Sequence, residues 1–311
     1  MTTVPAKAAA RATEDRPAPR RRIPVPHKGA IAVFIAPFGV LFVLFYLIPI
    51  LQAIWQSMLV IERDGTFGQA TEVFGGFAQY ALVFQNGPFW ASVVRVLTFG
   101  IVQVPVMLGL ALLFALLLDS PLVKGKRFFR LAFFVPYAVP GVIAAIMWGF
   151  LFSPNLSPFT ALTKNVDFLG ADLVLWSIAN VVTWVFVGYN MLIIYSSLLS
   201  IPTELYEAAR LDGASQMRIA WSIKIPLVRP AILLTAVFSI IGTLQLLAEP
   251  QVFASFSSAV ISTYTPNMTI YATASVPNAS LAAAFSVVLA LATFALSFTF
   301  LKITQRKDAA E

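Results

Sequence analysis

Long uncharged runs alternate with short charged ones along this chain. The first run covers residues 29–61 and is most apolar over 31–51; others cover 96–118, 131–152, 173–199 and 230–248. Each offers close to the roughly 20 residues that a helix needs to cross the hydrocarbon of a bilayer. A last run, 251–301, is too long for one helix. Its first half, 255–280, is rich in Ser, Thr, Asn and Pro and reads as an external loop with a short re-entrant or interfacial piece. The sixth span is then 281–301. The expected fold is an all-α polytopic membrane protein of six transmembrane helices.

Composition agrees with this pattern. Hydrophobic residues make up 59% of the 311 positions and charged residues 11%, less than half the share usual in soluble domains. There is no Cys, and the single His, His27, lies in the N-terminal tail. Disulfide, zinc and haem chemistry is therefore not expected, and neither a metal nor a catalytic site is assigned.

Charge sets the topology. All basic residues except Arg63, Arg95 and Lys164 fall in the N-terminal tail, the second loop (Lys124, Lys126, Arg127, Arg130), the fourth loop (Arg210, Arg218, Lys224, Arg229) and the C-terminal tail. Positive residues mark the cytoplasmic side, so both termini and loops two and four are expected in the cytoplasm. Scattered over four segments, the same charge reads poorly as a nucleic-acid surface. The first apolar stretch is about twice the length of a signal core and lacks a nearby small-x-small cleavage site, so a retained first helix is expected. Residues 1–28, rich in Ala, Pro and Arg, read as a disordered basic tail. The long external loops read equally as contacts for a delivery protein or as solvated connectors.

Between spans four and five lies a stretch with helix–turn–helix chemistry. Pro202 suits a first helical turn, with Thr203 as an alternative cap. Glu204 and Glu207 suit the positive end of a helix dipole. Ala208 and Ala209 leave a flat surface that a partner backbone can approach. Gly213 suits the left-handed residue that ends a helix, Ser215 suits the cap of the next, and that second helix is expected to end at Pro226. An amphipathic hairpin resting on the membrane would use the same spacing.

The residues themselves go further. Glu207-Ala208-Ala209, Gly213, Ile223 and Pro226 resemble the signature of permease subunits of binding-protein-dependent ABC importers, in which E-A-A, three residues, G and nine residues precede I-x-L-P. Ile225 stands where Leu is usual. The flanks, 201–206 and Asp212-Gly213-Ala214-Ser215, resemble the carbohydrate-uptake branch, the permeases of the maltose and glycerol-phosphate type. The resemblance implies a transmembrane permease domain over 29–305, a cytoplasmic coupling hairpin over 201–226 and a cytoplasmic tail over 302–311. It implies that Glu207, Ala208, Ala209, Asp212, Gly213, Ile223 and Pro226 meet a separate ATPase subunit. It also implies the partners: a second permease subunit forming a heterodimer, two ATP-binding subunits holding ATP and Mg, and an extracytoplasmic solute-binding protein at a prokaryotic cell membrane. The chain has no G-x-x-x-x-G-K-[ST] of its own, so no cofactor is expected on it and ATP hydrolysis is expected in the partner.

Polar residues inside spans face a cavity or another helix. Gln103 lies in span two, Asn190 in span four, Thr243 and Gln245 in span five. At 1.5 Å per residue, Tyr189 lies about 24 Å from the outer end of span four and Gln245 about 22 Å from the inner end of span five. Amides bind hydroxyls and aromatic rings stack on sugars, so Trp184, Tyr189, Asn190, Gln245 and Glu249 are candidate path residues for a sugar. Asn190 and Gln245 equally suit interhelical hydrogen bonds, and Glu249, expected near the outer surface, equally suits an interfacial cap. No Lys or Arg lies deep in a span, which favours a neutral sugar or oligosaccharide. An ion-coupled secondary transporter of a small polar solute is the alternative; it wants a carboxylate near the midplane.

Overall fold

The computed structural model describes residues 28–63, 69–275 and 278–308. The N-terminal tail up to His27 and the end of the C-terminal tail lie outside the described residues. The chain divides into two units, one ending at Ile50 and one running from Leu51 to the C-terminus.

The first unit holds α1 (Lys28–Phe42), a π-helical turn (Val43–Leu47) and the start of α2 (Ile48–Gln56). Phe38, Phe42 and Tyr46 stack along one face at helical spacing, with centroids 6.0 and 5.6 Å apart.

In the second unit the remainder of α2 leads into an antiparallel hairpin, β1 (Leu59–Arg63) with β2 (Ala70–Phe74), and then α3 (Ala78–Gln85). The pattern of apolar runs did not disclose these strands. They form because Leu59, Val60 and Ile61 face Phe74, Val73 and Glu72, a β-branched pairing that suits a pleated surface. Gln79 Nε2 donates to the Leu59 carbonyl, and the Ser57 and Tyr80 hydroxyls lie 2.6 Å apart. The connection between the first two apolar runs thus carries a hairpin and a short helix among its described residues.

The bundle follows: α4 (Gly87–Asp119), α5 (Lys126–Ala138), α6 (Gly141–Phe152), α7 (Thr160–Thr163), α8 (Val174–Leu198), α9 (Thr203–Leu211), α10 (Gln216–Ile219), a second π-helical turn (Ala220–Lys224), α11 (Ile225–Leu244), α12 (Ala248–Phe253), α13 (Pro266–Ser275) and α14 (Ala279–Asp308). Among the described residues five helical segments are long and apolar enough to cross a membrane, or six if α5 and α6 count as one bent span. Asn86 starts α4 by accepting from the Phe89 N–H, and α4 then passes Pro105 unbroken.

Four expectations need correction. The third run is not one straight helix: α5 and α6 meet at 96°, because Pro140 has no N–H to continue the ladder. The hairpin's second helix does not end at Pro226; residues 216–244 form one continuous span. The π turn makes this possible, as Ile225 N–H donates five residues back to Ala220. The carbonyl that the Pro226 ring would crowd, that of Ser222, lies inside the widened turn. Pro49 follows the first π turn in the same way.

The fifth span ends at Leu244 rather than Ala248. And the Ser/Thr/Asn-rich stretch, expected as an external loop with a short re-entrant or interfacial piece, packs into the bundle over much of its length. Tyr264, Thr265, Met268 and Thr269 are buried, Thr265 Oγ1 donates to the Leu246 carbonyl and Asn267 Nδ2 to the Leu244 carbonyl. Its polar side chains occupy the carbonyls freed where α11 stops, a requirement set by the absence of water in a bundle core.

Helix α8 is the centre of the unit. Phe99 of α4, Ala144 and Ala145 of α6, Val174, Ile178, Val181 and Val185 of α8 and Phe253 of α12 form one apolar cluster. Ala111, Ala115 and Leu118 of α4 form a second with Met191, Ile194 and Leu198 of α8 and Val228 of α11.

Candidate functional site

Helices α4, α8 and α11, with the segment after α11, border a partly open cavity of about 410 Å³. Its lining includes Gln103 and Met107 of α4, Phe186, Tyr189 and Asn190 of α8, and Phe238, Ser239 and Thr243 of α11. Gln245 and Glu249 complete it, in the break and first turn that follow α11. No Lys, Arg or His is among the lining residues.

The polar groups here are held loosely. Gln103 and Asn190 are each 2% exposed. Both amides donate to the Met107 thioether, at 3.4 and 3.6 Å, a weak acceptor. Gln103 Nε2 also reaches Thr183 Oγ1 at 3.2 Å, and Gln103 Oε1 is buried with no hydrogen-bond partner. Tyr189 stacks on Tyr137 of α5 with centroids 4.6 Å apart and planes at 16°, and Phe186 meets Tyr137 edge-on at 5.8 Å.

Glu249 shares the cavity with Gln103, midway along α4, and with Asn190, about two-thirds of the way along α8. A Cβ on Gly141 would lie 2.9 Å from Glu249 Oε1, so the carboxyl group rests on the first residue of α6. The unpaired N–H groups and positive dipole end of a helix favour a carboxylate there. The early end of α11 and the 96° bend between α5 and α6 together create this arrangement, and neither is visible as a hydropathy feature. Of the five sequence-named path residues, Tyr189, Asn190, Gln245 and Glu249 come together. Trp184 does not line the cavity; it packs in the apolar cluster, edge-on to Trp148 at 6.1 Å. Tyr137, Met107 and Ser239 escaped the sequence reading, since an aromatic, a thioether and a hydroxyl inside an apolar run carry no positional signal.

The second group of residues surrounds α9. The helix ends in a two-bond cap: Ala214 N–H donates to Ala209 and Gly213 N–H to Arg210. Gly213 has φ +79°, which its lack of a Cβ permits. Ser215 Oγ then accepts from Arg218 N–H and starts α10. Neither Thr203 nor Pro202 acts as foreseen: Pro202 occupies the cap position with no side-chain bond, and Thr203 is the first helical residue. Glu207, Ala208, Asp212, Gly213 and Pro226 are exposed, and Ala209 and Ile223 half-buried. Leu205, Leu211, Met217 and Trp221 surround them with exposed apolar surface, Leu211 at 90%.

Tyr206 is the one buried residue of α9. Its ring lies 4.9 Å from the Lys224 ammonium, which forms an ion pair with Asp119 at the end of α4. Burial raises the Tyr206 hydroxyl pKa above its ordinary value, and the Asp119 charge adds to that. Among the described residues no three His, Cys, Asp or Glu side chains converge to hold a metal.

Residues 73–306 match the family model described as the binding-protein-dependent transport system inner membrane component. The chain belongs to this family. It is a membrane-spanning permease, a transport subunit rather than an enzyme. Among its relatives, the lactose transport system permease protein LacF of Rhizobium radiobacter is 30% identical over 86% of this chain and 91% of its own. The sn-glycerol-3-phosphate transport system permease protein UgpA of Rhizobium meliloti (strain 1021) is 31% identical over 68% of this chain and 72% of its own. A solved bacterial ABC transporter involved in the import of the acidic polysaccharide alginate contains a chain of the same fold. That chain has a TM-score of 0.74 and 17% identity, with 89% of this permease and 96% of the other chain aligned.

Proposed function

We propose that this permease forms the translocation path of an ATP-driven importer for a neutral sugar or oligosaccharide. The observation that carries the reading is the cavity itself, where amides and the Tyr189 ring meet with no cation. Hydroxyl groups would give Gln103 and Asn190 better partners than a thioether, and a sugar ring suits the face of Tyr189. A phosphate would want an Arg or Lys and would meet the Glu249 carboxyl instead. The relatives' names favour sugars and related polyols, one neutral and one anionic; the lining favours the neutral kind.

The exposed hairpin around α9 would dock on a separate ATPase subunit that binds ATP and Mg. A second permease subunit, making a heterodimer, a second ATPase subunit and an extracytoplasmic solute-binding protein complete the assembly. The basic residues support an arrangement with both termini in the cytoplasm.

The test is ATP-dependent uptake by the purified assembly in vesicles. A panel of neutral mono- and oligosaccharides is compared with glycerol 3-phosphate. Uptake of a neutral sugar, insensitive to glycerol 3-phosphate, is expected. Uptake of the phosphate ester in preference to every neutral sugar would overturn the substrate class, and uptake without any ATPase would favour an ion-coupled transporter.

A further inference from the structure

We propose that Asp119, Lys224 and Tyr206 form a strut that passes hairpin movement to α4, so that both helix α4 and helix α11 bordering the cavity move together. This rests on the reading of the hairpin as the ATPase docking element.

The ammonium of Lys224 joins three parts of the chain. It pairs with the carboxylate of Asp119, the last residue of α4, 105 positions away. It lies under the ring of Tyr206, through which α9 is anchored. By its own backbone it sits at the head of α11. Lys126 Nζ donates to the Asp119 carbonyl at 3.3 Å, tying the first residue of α5 to the same point. The pair is largely enclosed, with side-chain exposures of 9% for Lys224 and 12% for Asp119.

Such a pair is poorly explained by stability. Desolvating two charges offsets most of their attraction, and well-packed apolar replacements are often no worse. What an enclosed pair does provide is one defined geometry between the elements it joins. The need for one is visible in the backbone route. Between the hairpin and α11 the helix passes through the π turn at Ala220–Lys224 and then Pro226, where regular hydrogen bonding is interrupted and the helix is easier to bend. A push arriving along that route alone would be partly absorbed at the turn, and would reach α4 only through the apolar cluster that Val228 of α11 shares with it. Through Lys224 and Asp119 the push also reaches the end of α4. Gln103 lies 16 residues up that helix, about 24 Å along its axis. Asp119, Lys224 and Tyr206 touch no substrate in this arrangement; they are positioning residues.

The experiment uses the complete assembly of permeases, ATPase subunits and binding protein in vesicles, and reads sugar imported per ATP hydrolysed. The main variant is Asp119→Leu with Lys224→Met together, which removes both charges without stranding either. It is expected to assemble and melt like wild type and to hydrolyse ATP, but to import about 3- to 30-fold less sugar per ATP, the range in which coupling residues act. The exchanged pair, Asp119→Lys with Lys224→Asp, is expected to recover much of the ratio, which a merely structural contact would not require. An unchanged ratio in the Leu/Met variant would overturn the strut while leaving the functional reading intact. A wild-type assembly with no ATP-dependent uptake would instead overturn the functional reading, and the strut with it.

Discussion

Gly188 of α8 lies directly against the Phe133 carbonyl of α5, so that a methyl group on Gly188 would overlap the carbonyl oxygen. Small residues let membrane helices approach backbone to backbone, where packing rather than the hydrophobic effect holds them. The contact sits one residue before Tyr189 and so sets how close α5 brings Tyr137 to the Tyr189 ring. Gly188→Ala is therefore expected to destabilise the permease by about 1–3 kcal/mol through overpacking. A lowered melting temperature in detergent checks this, and an unchanged one would mean that α5 and α8 are not in this contact.

Tyr189 offers a test of the cavity. An aromatic stack contributes about 0.5–1.5 kcal/mol, so Tyr189→Ala is expected to raise the KM for the transported sugar about 2- to 10-fold. Tyr189→Phe keeps the ring on Tyr137 and is expected to stay near wild type. The measurement is initial uptake rate against sugar concentration in vesicles, with equal amounts of assembled protein.

The hairpin gives a sharper outcome. Gly213 holds a left-handed conformation that costs an ordinary residue about 1–2 kcal/mol and that proline cannot adopt. Gly213→Pro is expected to leave membrane insertion intact and abolish ATP-driven uptake, and Glu207→Lys, an exposed charge reversal, is expected to do the same without disturbing the fold. Co-purification of an ATPase activity with wild type, and its loss from the variants, checks both. Normal uptake by inserted Glu207→Lys protein would remove that side chain from the docking surface.

Thr265 tests the ordering of the segment after α11. Thr265→Val keeps the shape but loses the donor to the Leu246 carbonyl. Interhelical bonds of this kind average about 0.6 kcal/mol and reach about 1.7 in membrane proteins. A small fall in thermal stability is expected, with a larger fall when Asn267→Ala is added, since Asn267 meets the neighbouring break at the Leu244 carbonyl.

Some of this architecture was legible because its causes are local. Gly213 and Ser215 announce a turn and a cap wherever they stand together, and the chain folds them that way. Asn190 and Gln103 stood out as amides in apolar runs, and both are buried in the cavity wall. Trp184 failed as a path residue because an aromatic ring in such a run fits an apolar cluster as readily as a cavity. Glu249 joins the cavity because of where α11 ends, which the apolar pattern does not show. That end is set by hydrogen bonds from Thr265 and Asn267, some twenty residues later in the chain. The hairpin of β1 and β2 was hidden by length, being shorter than the windows in which membrane spans declare themselves.

By itself the sequence determined that the chain crosses a membrane several times and that a helix ended by Gly213, with a helix capped by Ser215 after it, follows the fourth apolar run. Those properties follow from hydropathy over some twenty residues and from side-chain chemistry within a turn or two. Only the tertiary structure decided which faces meet. A helix apolar on every side carries no directional signal, so nothing local says that Gly188 faces Phe133 or that Tyr189 finds Tyr137. Nor does it say that Glu249 rests on Gly141 or that Lys224 reaches Asp119. Those relationships arise from the packing of whole helices against one another.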